Sequence, residues 1–484
     1  MRTLTLDDAL RGDAYQLDPI LLTQLEAVLG KRNVATSVVD LLCFSHDIMP
    51  STFKWVRRDD VPYLPQIVVF PGSTKDVQEI VKMANFFRVP VIPAGGTSGT
   101  IGGVIATQGG IVVDMKRMNK FIELDEFSMT ATVQAGMLGK DYEDQLNMRG
   151  YIGCHYPQSI KCSTVGGWVA PRGVGTFSTK YGKIEDIVIA LEVVLPDGSI
   201  ARTKNTPRSS CGPDMDQLFI GSEGTFGIIT EVTLQIRTKP QRREWVAYGF
   251  PTFDDAVAAC RDICVQDIYP AVMRLYDNVE ASHAFADLGY KEQAGVEHCA
   301  YFGCEGRSDL VDLEVKVTHE ACKAHNGIER PGFGERWYRK RYDTGYLKDA
   351  YLTPNGIGDA IECASRWSAL TPMHDRMIEA IKEAGAVEVF GHGSHFYRTG
   401  ANLYIIWKAV AEDERAIESL YWKIMDAAMR AVVSVDGSIG HHHGIGLNKG
   451  PWIHMNEPGM WEVVRKIKAT LDPNGIMNPG KMGL

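Results

Sequence analysis

Pro93-Ala-Gly-Gly-Thr-Ser-Gly99 follows the apolar, β-branched run Val89-Pro-Val-Ile92. Small residues at a strand end leave backbone N–H groups open to close approach, which is what a phosphate-bearing cofactor needs. Two more glycine-rich stretches stand in the same strand-rich half, Ser163-Thr-Val-Gly-Gly167 and Gly221-Ser-Glu-Gly-Thr-Phe-Gly-Ile-Ile-Thr230. One such loop says little, but three together point to a nucleotide. No Gly-x-x-x-x-Gly-Lys-Ser/Thr is present, and no Gly-x-Gly-x-x-Gly opens a helix after the first strand, which argues against a P-loop NTPase and a Rossmann NAD enzyme. The pattern implies a flavin nucleotide.

Working outward, the first loop closes a βαβ unit. Ile67-Val-Val-Phe70 reads as a strand, Asp76 to Phe87 as an amphipathic helix opened by Ser73-Thr-Lys-Asp76, and Val89–Ile92 as the strand entering the loop. Leu21, Leu22, Leu25, Val28 and Leu29 have helical spacing in a lead-in of about 60 residues. Strands are expected at 110–114, 130–134, 187–195 and 228–236, with Pro196-Asp-Gly198 as a turn. A charged, proline-containing boundary lies near 237–244. Beyond it come a strand near 244–250, a helix over 253–266 and the strand-like run 401–410. The expected class is α+β. Residues 1–238 form a cofactor domain, 239–438 an α/β cap over it, and 439–484 a segment returning to the first domain.

A chain of 484 residues exceeds the size at which one core keeps growing. Its 45% hydrophobic and 23% charged residues are ordinary for a soluble protein, and a net charge of −9 argues against a nucleic-acid partner. Asp7 and Asp8 stand where a signal peptide needs an apolar core, and no apolar run approaches membrane-spanning length. Ten cysteines without CxxC pairs suit reduced thiols, so a cytoplasmic location is expected.

Pro71-Gly-Ser-Thr-Lys-Asp76, the three glycine loops and the terminal Asp472-Pro-Asn-Gly-Ile-Met-Asn-Pro-Gly-Lys481 occur in an order that resembles the vanillyl-alcohol oxidase/p-cresol methylhydroxylase superfamily of FAD enzymes. Within it, Tyr181-Gly-Lys-Ile-Glu-Asp186, Pro207–Asp214, Arg274-Leu-Tyr-Asp-Asn278 and His441-His-His-Gly-Ile-Gly446 are similar to the alkyldihydroxyacetonephosphate synthases. The second similarity is to the D-2-hydroxyacid dehydrogenases. The resemblance implies a PCMH-type FAD domain. It further implies FAD contacts from Pro93, Ala94, Gly95, Gly96, Thr97, Ser98 and Gly99, from Pro157, Ser159, Ser163, Thr164 and Gly167, from Arg172, Gly173 and Val174, and from Glu223, Gly224, Gly227, Ile228 and Ile229. The FAD is expected to be non-covalent, because the first glycine loop has none of the histidines that attach it in several relatives.

The resemblance also places chemistry at Tyr404 and at His441, His442 and His443. On an extended segment, alternation sends His442 to the face opposite its neighbours. His392, His395 and His442 are the candidate ligands for a divalent metal, Zn, Mn or Fe. Where the synthases use an arginine upstream to hold a phosphate, this chain has Lys348, and Arg339 and Arg341 are the nearby cations for an acidic substrate. The implied activity is oxidation of a hydroxyl-bearing carbon in a small 2-hydroxy acid or related alcohol, by hydride transfer to flavin N5. Dioxygen or a redox carrier would be the acceptor, and the expected assembly is a homodimer. The alternatives are a synthase-like transferase of ether-lipid synthesis and an electron-transfer flavoprotein module.

Overall fold

The first βαβ unit forms as its pattern requires. The computed structural model describes residues 17–343 and 353–484. Strand β1 (Val34–Ala35) runs antiparallel to β2 (Ile67–Val69). The helix Thr74–Phe87 follows, with the Ser73 hydroxyl accepting from Asp76 N at 3.2 Å, and it buries Val77, Ile80, Val81 and Ala84 against the sheet. These positions are one face of a 3.6-residue period. Strand β3 (Val91–Ala94) starts two residues later than expected and contains Pro93, which is tolerated because β3 lies at the sheet edge. With β4 (Ile111–Asp114) the order is β1-β2-β4-β3, the last three parallel. The open edge of β3 is covered by the C-terminal segment: Val91 N donates to Ile476 O at 2.7 Å and Asn478 N to Val91 O at 2.9 Å. Edge coverage of this kind blocks pairing with another chain.

A second, antiparallel sheet takes the order β5-β6-β10-β8-β9, from β5 (Phe121–Asp125), β6 (Thr130–Gln134), β8 (Val188–Val194), β9 (Ile200–Arg202) and β10 (Ile228–Gln235). A short ribbon pairs β7 (Tyr151–Ile152) with β11 (Arg237–Thr238). The charged stretch expected as a boundary is thus partly strand.

The third sheet carries the site. Its seven antiparallel strands are β12 (Arg242–Phe250), β13 (Val272–Tyr276), β14 (His298–Gly306), β15 (Ile328–Glu329), β16 (Gly356–Arg366), β17 (Glu388–Phe396) and β18 (Gly400–Val410), in the order β15-β12-β14-β13-β17-β18-β16. Leu275, Cys363, Leu403, Ile405 and Trp407 are fully buried in one core cluster with residues of the helices Phe253–Val265, Trp367–Ala384 and Ile417–Val433. Because side chains alternate along a strand, the residues between them project from the other face. All ten cysteines are free, and Cys260 and Cys264 are buried on one helix.

Candidate active site

Register places four polar side chains in one row across the third sheet. Tyr404 on β18 is opposite Glu362 on β16 and His392 on β17, and His392 is opposite Tyr276 on β13. Directly paired residues of antiparallel strands share a face. Arg274, two residues from Tyr276, joins them: its Nη2 donates to His392 Nε2 at 2.7 Å, so His392 Nδ1 is left to donate to Glu280 Oε2 at 2.8 Å. The His392 ring stacks on Tyr404, with centroids 4.9 Å apart. His395 escapes the alternation, because it occupies a bulge between Ser394 and Phe396 at φ 56°, and it stacks on His441.

The histidine run folds down onto this row. Glu362 is wholly buried, and its two carboxylate oxygens accept from His441 N at 2.6 Å and His443 N at 2.8 Å. Lys449 Nζ pairs with the same carboxylate at 2.9 Å. Pinned at alternate amides, the segment bends, and both His442 Nε2 and His443 Nε2 reach the Tyr404 hydroxyl, at 2.5 and 2.9 Å. The expected alternation is therefore corrected: His442 and His443 face the same oxygen, while His441 turns towards Tyr397.

Burial sets the charge state here. It lowers the His443 pKa to about 4 against the opposing pull of Glu362, and it holds His442 and His441 well below the usual imidazole value, with the neighbouring cations and rings adding to the effect. All three are neutral bases at physiological pH. Burial alone would push Glu362 up, but Lys449, His443 and the hydrogen bonds outweigh it and keep the carboxyl below its ordinary range.

Beside the histidines lies a cleft. Pro93 through Gly99, Ser163, Thr164, Gly167, Glu223, Gly224, Gly227, Ile228 and Ile229 line it, as does His443. Its glycines serve the chain itself as well as any ligand. A Cβ on Gly96 would overlap the Cys162 carbonyl oxygen and lie 2.8 Å from the carbonyl carbon, so only glycine lets the first loop pack on the second. The backbone N–H groups of residues 96–99 donate to no other described residue, with Thr97 at φ 49°. Unpaired amides in such a bend form an anion-binding nest, and the remaining wall is largely apolar, so the residues present fit the pyrophosphate and rings of FAD. Asp47 and Glu223 also line the cleft, and burial raises both carboxyls to about 7. Glu223 accepts from Ile445 N and Gly446 N at 2.6 and 2.8 Å, tying the cleft wall to the histidine loop.

Several expected residues lie elsewhere. Pro157, Ser159, Arg172, Gly173 and Val174 are not in the cleft wall, where Asp47, Ile101, Met115, Ala135 and Pro171 stand instead. Arg172 donates to Gln217 O, and Gly173 N donates to Trp168 O. Arg339 is exposed on the helix Phe333–Lys340, and Arg341 stacks over Tyr338 and Tyr342 at 3.7 and 4.4 Å. Lys348 lies outside the described residues. The buried cation of the row is Arg274, 8% exposed, whose Nε has no hydrogen-bond partner among the described residues. The proposed metal set does not assemble. Among the described residues no group of three or more His, Cys, Asp or Glu side chains is arranged to hold a metal. The reason is local: His392 carries a guanidinium on Nε2, His395 Nδ1 bonds Ser178, and both nitrogens of His442 are occupied by Tyr404 and His441. Glu362 and Arg274 were missed as site residues. The Arg274–Asn278 motif was the available signal for the second, and the first had none.

Residues 65–204 match the family described as FAD binding domain, and residues 239–482 match the FAD linked oxidases, C-terminal domain. The alkyldihydroxyacetonephosphate synthase of Trypanosoma brucei brucei is 31% identical over 88% of this chain and 74% of its own length. The glycolate oxidase subunit GlcD of Bacillus subtilis is 27% identical over 95% of this chain and 96% of its own. A solved alkyldihydroxyacetonephosphate synthase superposes with a TM-score of 0.80 at 26% identity, covering 96% of this chain and 86% of that one. No helix among the described residues is long and apolar enough to cross a membrane. With a family match across half of the chain, a cleft shaped for the cofactor and neutral bases at its edge, this chain belongs to the FAD-linked oxidases.

Proposed function

We propose that the chain oxidises a hydroxyl-bearing carbon of a small acid, a 2-hydroxy acid or a related alcohol. The observation that supports this reading is the Tyr404 oxygen held between two neutral imidazoles, one of which also lines the cofactor cleft. FAD bound in that cleft supplies the acceptor for the C–H hydride. Tyr404 takes the substrate hydroxyl proton as it passes its own to His442 or His443, a role worth about 10²–10⁴ in rate. Arg274 holds the acidic end, its Nε, which has no hydrogen-bond partner among the described residues, offering a charge-assisted bond to a carboxylate.

A second reading is favoured by the tyrosine itself. Tyr404, and not a metal-binding histidine, occupies this position of β18, as in the synthases the chain resembles, so exchange of an acyl for an alkyl chain is the competing activity. Anaerobic mixing separates them. A member of a D-lactate, glycolate and 2-hydroxyglutarate panel bleaches the flavin if oxidation is right. Failure of every member, with fatty-acid release when a fatty alcohol and an acyl dihydroxyacetone phosphate are supplied, establishes the transferase.

Two expected results follow from the geometry. Tyr404→Phe and the His442→Ala, His443→Ala double variant each slow turnover at least about tenfold while retaining FAD. Wild-type rates in both would place the chemistry elsewhere. Since burial lowers these imidazole pKa values, the base form persists as the pH falls, and the bleaching rate stays level from pH 8 down to about 5. An acid limb centred near 6.5 in a pH series would contradict the buried, neutral base.

A further inference from the structure

Four side chains form one unbroken hydrogen-bonded line leading away from the reacting centre. The Tyr404 hydroxyl lies 2.5 Å from His442 Nε2, His442 Nδ1 lies 2.8 Å from His441 Nδ1, and His441 Nε2 lies 2.8 Å from the Tyr397 hydroxyl. Tyr397 is half-buried, beside the exposed Arg398 and Thr399 at the turn between β17 and β18. We propose that this line is a proton relay that moves the substrate hydroxyl proton from Tyr404 out to Tyr397. The relay rests on the reading of Tyr404 as the reacting tyrosine.

The atoms that meet dictate the relay's logic. Two Nδ1 atoms can share a hydrogen bond only if one ring carries its proton there and the other does not. Both rings are neutral, so His441 and His442 are opposite tautomers, and neither can switch without the other. In the outward arrangement Tyr404 donates to His442 Nε2, His442 Nδ1 donates to His441 Nδ1, and His441 Nε2 donates to the Tyr397 oxygen. When Tyr404 receives the substrate proton, its own proton moves to His442 Nε2. The His442 Nδ1 proton passes to His441 Nδ1, the His441 Nε2 proton passes to Tyr397, and Tyr397 releases its hydroxyl proton. One proton enters, one leaves, and both rings end as the opposite tautomer. A proton returning inward over the same atoms resets them.

The surroundings support this use. His441 makes no hydrogen bond to Tyr404, so direct proton exchange with the reacting tyrosine does not explain it. Its backbone is clamped on both sides, the carbonyl by Lys183 Nζ at 2.6 Å and the amide by Glu362, while His395 stacks on its ring. Glu185 and Asp186 are the acidic groups that act on Tyr397, and Glu185 Oε2 is buried with no hydrogen-bond partner among the described residues. Glu185 Oε1 pairs with Lys183 Nζ at 2.9 Å, so the outgoing proton leaves Tyr397 for solvent.

Ring-nitrogen NMR of FAD-loaded, ¹⁵N-histidine-labelled protein tests the wiring without substrate. Opposite tautomers are expected for His441 and His442. Phenylalanine at one end removes an acceptor, so either Tyr397→Phe or Tyr404→Phe must invert both tautomers, including that of the histidine two links away. Equal tautomers in the wild type, or no inversion in either variant, overturns the relay. Function is read in parallel with whichever hydroxy acid of the panel bleaches the flavin. Tyr397→Phe, at normal FAD content and melting temperature, is expected to bleach about tenfold more slowly at an unchanged half-saturating concentration. Added imidazole is expected to restore the rate of Tyr397→Ala. A wild-type rate in Tyr397→Phe overturns the relay even where Tyr404→Phe is slow. Coupled tautomers with no bleaching by any hydroxy acid instead leave the wiring standing and remove the oxidation reading alone.

Discussion

Gly96→Ala is expected to lose FAD. The added methyl overlaps the Cys162 carbonyl oxygen and lies 2.8 Å from its carbonyl carbon and 2.9 Å from Ser163 Cα. All three are backbone atoms, so they cannot swing aside as a flexible side chain does. Overpacking of this kind costs about 1–3 kcal/mol, and the strain is relieved only by lifting the first glycine loop off the second. That movement displaces the four amides of residues 96–99, which donate to no other described residue, from the cleft. Flavin fluorescence titration of the apoprotein should show affinity reduced by at least about tenfold. Gly459→Ala, where the added methyl meets nothing within 4 Å, should bind as the wild type does. Equal affinities for the two variants would remove the first glycine loop from the cofactor site.

Glu362→Gln should be the most damaging single change near the histidines. The carboxylate is fully buried, accepts from two backbone amides of the histidine run and pairs with Lys449, itself 3% exposed. Removing one charge leaves the other buried and uncompensated, a loss of about 3–5 kcal/mol. The lysine cannot reach water without disturbing the loop it supports. Adding Lys449→Met removes the orphaned cation, so the double variant should be more stable than Glu362→Gln alone. Denaturant unfolding of the three variants measures this. A double variant that loses the sum of the two single effects would show that the pair is not a unit.

What the residue pattern disclosed follows from how local each feature is. The glycine loops, the helix Thr74–Phe87 and the strands β4, β6 and β10 were legible because turn chemistry and hydrophobic period are written in consecutive residues. Strand β16 was not recognised, and with it went Glu362, because a carboxylate on a strand looks the same whether it faces water or clamps a loop some 80 residues away. The metal expectation failed for a related reason. His392, His395 and His442 have ligand-like composition, but Arg274 arrives beside His392 through strand pairing between β13 and β17, which no spacing reveals. The alternation expected for the histidine run assumed an extended backbone. The clamp from Glu362 bends it and puts His442 and His443 on one oxygen.

The central claim is that the glycine-lined cleft seats FAD with its reacting end at the Tyr404–His442–His443 cluster. A crystal structure of the FAD-loaded protein tests it most directly. The account predicts the pyrophosphate on the amides of residues 96–99 and the isoalloxazine ring in van der Waals contact with His443. A flavin bound in the reverse orientation, or with its ring out of reach of His443 and Tyr404, would contradict it.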